Sequence, residues 1–242
     1  MKLIYKLSKK YGFKIIEDAS HCIGAKYLKQ PVGSCLFSDI TVFSFHPVKI
    51  ITTAEGGIAA TNNKKIAHKM QILRSHGITK DKNFFQNNNH GSWYYEQVEL
   101  GFHYRMSDIH AALGCSQVKK LNQFIKKRHR IAKIYDEKLK DLPISAQFQS
   151  PNTISSRHLY IIRIPDNISK YSKKEIFHKM ISHGIGVNLH YIPVYQHPRY
   201  KKLNIKKKNF PNSETYYKEA MSLPIHPEIK RVDVIRVVNT LK

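Results

Sequence analysis

The sequence predicts an α/β protein, and three observations carry the prediction. Short runs rich in Ile, Val and Phe alternate with stretches whose apolar residues recur at helical spacing. Apolar residues make up 41% of the 242, which supports a packed core and argues against wholesale disorder. No apolar run approaches the length of a membrane span, and the N-terminus lacks the long apolar core of a signal peptide.

The elements follow in order. Residues 3–11 predict an amphipathic helix with Leu3, Ile4 and Leu7 on one face. Residues 14–17 predict a buried strand that ends in Glu17 and Asp18. A turn region holding Gly24 and Gly33 leads to strand 40–45, and strand 57–61 comes next. Helix 63–75 follows, with Asn62 and Asn63 available as caps. Residues 77–104 read as irregular, with an Asn-rich stretch from Asn87 to Asn89 and the aromatic triplet Trp93-Tyr94-Tyr95. Such a triplet in a loop is packing by default, or else flanks a ligand or an interface. Residues 106–121 predict a helix with Ser107 as N-cap, and 123–140 a second helix ended by Asp141-Leu142-Pro143. Beyond it come strand 158–164, helix 173–183, strand 186–190, and helices 213–221 and 227–241. Two domains are expected, 1–125 and 126–242. No internal repeat is visible.

Charge is the loudest compositional signal: 41 Lys and Arg against 17 Asp and Glu leave +24. The positive charge is spread along the chain, with clusters at Lys126-Lys127-Arg128-His129-Arg130 and Lys206-Lys207-Lys208. No aromatic-interleaved RNA-binding signature or helix-turn-helix accompanies them. A compositional bias explains the lysines better than nucleic-acid binding does, although a basic surface favours a phosphate-rich ligand. The cysteines, Cys22, Cys35 and Cys115, are odd in number, scattered and without a CxxC pair. This pattern fits a reducing cytoplasm, and neither a disulfide framework nor a metal site is expected.

The most informative segment is Ser44 to Gly57, SFHPVKIITTAEGG. A strand runs into a polar turn, and Lys49 then stands alone before Ile50 and Ile51. A lysine in apolar surroundings at a strand end is a candidate nucleophilic amine. Asp18 ends a neighbouring strand. An amine and a carboxylate at adjacent strand ends form a plausible anchor set for pyridoxal phosphate, which needs a lysine for its carbonyl carbon and an acid facing its pyridinium nitrogen. The plainer alternative is a surface lysine and an acid that caps the next helix.

The ordered series Glu17-Asp18-Ala19-Ser20-His21, Ser44-Phe45-His46-Pro47-Val48-Lys49, Thr53-Ala54-Glu55-Gly56-Gly57, Arg74-Ser75-His76-Gly77 and Arg105-Met106-Ser107-Asp108-Ile109 resembles the DegT–StrS family of sugar aminotransferases. Val187-Asn188-Leu189-His190-Tyr191-Ile192-Pro193 and Ser222-Leu223-Pro224 resemble the family's small-domain motifs, so the likeness covers essentially the whole chain. The resemblance implies the C-terminal part of a fold-type-I transferase: a partial large-domain sheet over 1–125 and a small α/β domain over 126–242. It implies pyridoxal 5′-phosphate as cofactor, with Lys49 as the Schiff-base residue and Asp18 on the pyridinium nitrogen. Ser20 would lie against a ring face, His21 would contact the phenolic oxygen, and Ser44 would bond the phosphate. Glu55, Gly56 and Gly57 either line the site or form a simple turn. Family members that are dehydratases replace the lysine with histidine, so Lys49 favours transamination.

By the same resemblance the acceptor is C4 of a UDP-linked 4-keto-6-deoxy-N-acetyl sugar, on the way to pseudaminic acid. Glutamate is the expected amino donor and a homodimer the expected assembly, with no membrane partner. Arg105 would contact sugar-nucleotide phosphate or a carboxylate, or else hold a loop by an ion pair. His190 and Tyr191 would reach the sugar nucleotide, or else meet solvent at a strand end. Two departures stand out. His103 occupies the position of a family asparagine that reaches the partner's cofactor phosphate. The phosphate-gripping turn expected before Asp18 is also absent, which predicts an unpaired sheet edge and a half-open site in a truncated or split enzyme, either inactive alone or complemented by a separate N-terminal chain. Two other functions compete: an aminotransferase for another keto-sugar or cyclitol, and a catalytically dead basic protein that binds polyanions.

Overall fold

The computed structural model describes residues 1–87, 91–165 and 171–242, without the side chain of Lys201. Asn88 and Asn89 of the Asn-rich stretch lie outside the described residues. The chain divides into two compact units, Met1–Leu121 and Asn122–Lys242.

The first unit is built on a three-stranded sheet in the order β1–β4–β5. Strand β1 (Ile16–Asp18) runs parallel to β4 (Ile40–Ser44), pairing Asp18 with Val42. Strand β5 (Gly57–Ala60) is antiparallel to β4 and pairs Gly57 with Ser44. Between β1 and β4 lies a hairpin, β2 (Lys26–Tyr27) and β3 (Gln30–Pro31), where the sequence suggests only turns. Its two turn residues, Leu28 and Lys29, have positive φ without being Gly or Asn, so the usual hairpin signal is missing. Helix α2 (Lys64–Leu73) starts at Asn63, whose side chain accepts hydrogen bonds from the Lys65 and Ile66 amides. Residues 77–104, expected to be irregular, hold the short pair β6 (Ile78–Thr79) and β7 (Glu96–Gln97).

Helix α1 (Lys2–Tyr11) forms as predicted, and its apolar face is left open. Leu3, Ile4 and Leu7 are 74%, 46% and 48% exposed, because no described element covers that side. Strand β1 has only β4 beside it among the described residues, and Ile16 is exposed. The two helices predicted over 106–121 and 123–140 are one, α3 (Asp108–Leu139). No Gly or Pro occurs from Cys115 to Leu142, so nothing breaks the helical hydrogen bonding there.

The second unit has the stronger core. Strands β8 (Ser145–Ala146) and β9 (Thr153–Ile154) precede β10 (Tyr160–Arg163), helices α4 (Lys173–Ser182) and α5 (Pro211–Glu219), strand β11 (Ala220–Leu223) and helix α6 (Arg231–Leu241). Strand β10 is the centre of an antiparallel sheet with β11 on one side and β8 on the other. Ile162, Ile164, Met180 and Val234 are wholly buried against it, each contributing on the order of 2 kcal/mol through burial. Strand 186–190 is not formed; Asn188 makes a single bridge to Ser222. The helix expected over 213–221 stops at Glu219, and the chain turns into β11, whose four residues are all buried.

Candidate active site

Lys49 belongs to a loop that leaves β4 and folds back onto it. The Phe45 amide donates to Gly56 O at 2.9 Å, and the Thr53 amide donates to Phe45 O at 3.0 Å, so residues 45–56 form a closed cradle. Thr52 and Thr53 stitch its interior. Thr52 Oγ1 donates to Phe45 O at 2.9 Å and accepts from the Ala54 amide at 2.9 Å, while Thr53 Oγ1 donates to Glu55 O at 2.8 Å. Lys49 itself is half-buried, and its amide closes a turn on His46 O at 2.9 Å. Ile50 and Ile51 behind it are buried, which anchors the backbone on both sides of the lysine.

His46 is exposed, and its Nδ1 accepts from the Val48 amide at 3.4 Å. It shapes the turn, as expected from its place three residues before the lysine. Ser44 Oγ accepts from the His46 amide at 3.4 Å. The glycine pair answers to two close approaches. A Cβ on Gly56, whose φ is +151°, would lie 2.4 Å from Thr53 Oγ1 and 2.5 Å from Met106 Cε; one on Gly57 would lie 2.7 Å from Phe43 O.

The acids of β1 point to opposite faces, as strand alternation requires. Glu17 turns inward and accepts from the wholly buried Thr41 hydroxyl at 3.1 Å. Asp18 turns the other way, at the strand's C-terminal end. Its Oδ1 accepts from Ser20 Oγ at 2.5 Å and from the Ser20 amide at 3.0 Å. These two bonds hold the Asp18 carboxyl below the usual carboxylate range. Partial burial opposes them, and the charges of His21 and Lys49 lower it further. Ser20 is thus bonded to Asp18 in this arrangement. His21 is half-buried, and the Cys22 thiol beside it is pushed up by burial and by the Glu17 and Asp18 charges.

An apolar groove opens beside this loop within the same unit. Phe45, Ile51, Ile58, Met106 and Val118 line it, with Arg74 and Arg105 among its charged residues. Arg74 belongs to the Arg74-Ser75-His76-Gly77 motif, to which the resemblance assigns no role. Arg105 Nη2 donates to His103 Nε2 at 3.2 Å, and His103 meets the edge of His76 with ring centroids 5.1 Å apart. The Tyr104 amide donates to Arg74 O at 2.9 Å and the Phe102 amide to Leu73 O at 2.7 Å, which fixes this segment on the end of α2.

His190 and Tyr191 belong to the second unit. His190 Nδ1 lies 2.8 Å from Ser222 Oγ, and Tyr216 donates to His190 O at 3.1 Å. Tyr191 stays 63% exposed, edge-on to the His190 ring. In the aromatic triplet Tyr94 alone turns inward. Its hydroxyl donates to the buried Glu96 at 2.8 Å, while Trp93 and Tyr95 are exposed. Among the described residues no group of three His, Cys, Asp or Glu could hold a metal.

The model of the DegT/DnrJ/EryC1/StrS aminotransferase family matches residues 1–242. The chain is a member of that family. It is 40% identical over 243 residues to the UDP-4-amino-4,6-dideoxy-N-acetyl-beta-L-altrosamine transaminase of Campylobacter jejuni, covering 100% of this chain and 61% of that protein. The structure of Helicobacter pylori PseC, an aminotransferase involved in pseudoaminic acid biosynthesis, superposes with a TM-score of 0.88 at 33% identity, over 99% of this chain and 62% of PseC. The PLP-form of the putative sugar aminotransferase Spr1654 from Streptococcus pneumoniae gives 0.84 at 30% identity, over 98% of this chain and 59% of that one. The chain therefore spans about 60% of the length of the relatives it matches. Pyridoxal phosphate is the cofactor that membership implies.

Proposed function

We propose that the chain carries the lysine-bearing part of a sugar-nucleotide aminotransferase site. The reaction moves an amino group from glutamate to C4 of a UDP-linked 4-keto-6-deoxy-N-acetyl sugar. The observation that carries this reading is Asp18 at the C-terminal end of β1, its carboxyl held low by Ser20 and lowered further by the charge of Lys49 in the loop that leaves the adjacent β4. The names of the Campylobacter and Helicobacter relatives support the substrate class.

The residues present fit pyridoxal phosphate by the chemistry of their donors: an amine, a carboxylate that stays ionised at neutral pH, and hydroxyls from Ser20 and Ser44. Bound here, the cofactor supplies an electron sink for the carbon that bears the transferred amine. Asp18 would face the ring nitrogen and, as a carboxylate, keep it protonated. Lys49 Nζ would be the amine that holds the cofactor and the group that carries the transferred proton. Ser20 and His21 would bound the ring, Ser44 would bond the phosphate, and His103 would take the asparagine's place in a homodimer. Arg105, His190 and Tyr191 serve the sugar nucleotide.

Borohydride fixation tests this without needing turnover. The purified chain is mixed with pyridoxal phosphate, reduced and digested, and the labelled lysines are mapped. Label concentrated on Lys49, and lost from that peptide in Asp18→Asn, supports the assignment. Label spread evenly over the surface lysines, with Lys49 no richer than the rest, refutes it.

A further inference from the structure

One strongly basic segment of the second unit lies outside the candidate site residues. No Asp or Glu occurs between Glu175 and Glu214. Within that stretch, residues 195–210 form a loop whose two ends are pinned together. Tyr195 stacks on Phe210 with centroids 4.9 Å apart and planes at 23°. The Tyr195 hydroxyl donates to Glu214 Oε1 at 2.8 Å, and Gln196 Nε2 donates to the same oxygen at 2.7 Å. The nearest acid is thereby bonded at the base of the loop. Two short 3-10 turns, Pro198–Leu203 and Lys207–Asn209, shape the part beyond.

That part presents Arg199, Lys202, Lys206, Lys207 and Lys208, all exposed. Apolar side chains stand exposed among them: Leu203 at 64%, Ile205 at 37% and Tyr200 at 41%. Charge alone would suit any polyanion, and the interleaved aliphatics narrow the choice. Single-stranded nucleic acid is held mainly by aromatic stacking and arginine planes. Tyr200 and Arg199 could stack on a base, but Leu203 and Ile205 cannot, and a phosphate surface gives them nowhere to go. A bilayer accepts both kinds of group at once, with lysines at the headgroups and aliphatic tips at the acyl boundary. No helix of the described residues is long and apolar enough to cross a membrane, so the contact is peripheral.

We infer that the loop of residues 195–210 is a docking surface for an anionic lipid bilayer. Each cation near an anionic surface strengthens binding by about fivefold, and salt weakens the attraction. The test is co-sedimentation of the full chain with vesicles of phosphatidylcholine containing about one third phosphatidylserine, beside neutral phosphatidylcholine vesicles. Binding to the anionic vesicles alone is expected, falling steeply as salt rises. Lys206→Gln, Lys207→Gln and Lys208→Gln together should weaken it by roughly a hundredfold, and at least tenfold. Leu203→Ser with Ile205→Ser should weaken vesicle binding while leaving retention on heparin unchanged. The control Lys64→Gln, Lys65→Gln and Lys80→Gln removes three exposed charges from the other unit. An equal loss in that control means that net charge alone drives binding, and the inference fails. It fails equally if the vesicles do not bind, or if single-stranded DNA binds tighter and is insensitive to Leu203 and Ile205.

Discussion

Replacing Arg128 by methionine should destabilise the chain by about 2 kcal/mol, although it lies in the most basic run of the sequence. The structure takes Arg128 out of that run. It is 4% exposed, and its Nη1 donates to Arg157 O at 3.2 Å, His158 O at 3.3 Å and Ile225 O at 2.9 Å. Its Nε is buried without a partner among the described residues. Burial lowers the guanidinium to about 10 from 12.5, a desolvation cost of about 3 kcal/mol at 1.36 kcal/mol per pH unit. Methionine recovers that cost but leaves three carbonyls without their donor, at about 1–3 kcal/mol each and about 5 together. The difference is the predicted loss. Alanine adds a cavity and should cost about 4 kcal/mol. Urea unfolding followed by circular dichroism reads both. A methionine variant as stable as the parent, or more so, would show that burying the charge outweighs its three bonds, and the reasoning would fail. The same variant should leave heparin retention unaltered, because a buried cation offers no charge to a polyanion.

Two further predictions concern the lysine loop and the core. Gly56→Ala should cost about 2 kcal/mol and blunt the preference of fixation for Lys49, because the new methyl collides with Thr53; Gly12→Ala, at φ +75° with no atom within 4 Å of the added carbon, should cost about 1 kcal/mol and leave labelling alone. Equal effects from the two would refute the cradle. Stability should fall as pH rises above the ordinary tyrosine value of about 10. Burial raises both Tyr135 and Tyr160, and the bond to Asp136 raises Tyr160 further. Their stabilisation is therefore complete below the unfolded value and is lost above it, where the unfolded chain releases protons that the native state retains. Arg128, lowered on folding, works in the opposite direction over the same range, but one group opposes two. A urea midpoint unchanged between pH 8 and pH 11 would contradict this.

Local signals were legible where the chain obeys them. Asn63 caps α2 because its side chain bonds the first free amides, and the Pro143 stop lies four residues beyond the observed end of α3. What the sequence hid depends on contacts distant in the chain. Ala220-Met221-Ser222-Leu223 continues the pattern of the preceding helix, and becomes a strand only because β10 offers it a ladder. The face of α1 reads as a core face in any window, yet Leu3 is 74% exposed, since periodicity shows which side is apolar and not whether anything covers it.

The candidate site shows the same division between pattern and contact. Two acids end β1, and composition does not tell them apart. Glu17 bonds the buried Thr41 hydroxyl and becomes part of the packing between strands. Asp18, one residue on and on the opposite face, is bonded by Ser20 and feels the charge of Lys49. A one-residue slip of β1 that set Asp18 against Thr41 would set Glu17 against Ile40 and Ala19 against Val42, leaving no acid where the cofactor's ring nitrogen is proposed to lie. The register that pairs Asp18 with Val42 therefore contributes to the chemistry as much as the acid itself. Thr41 holds that register from the side of the strand that no cofactor would touch.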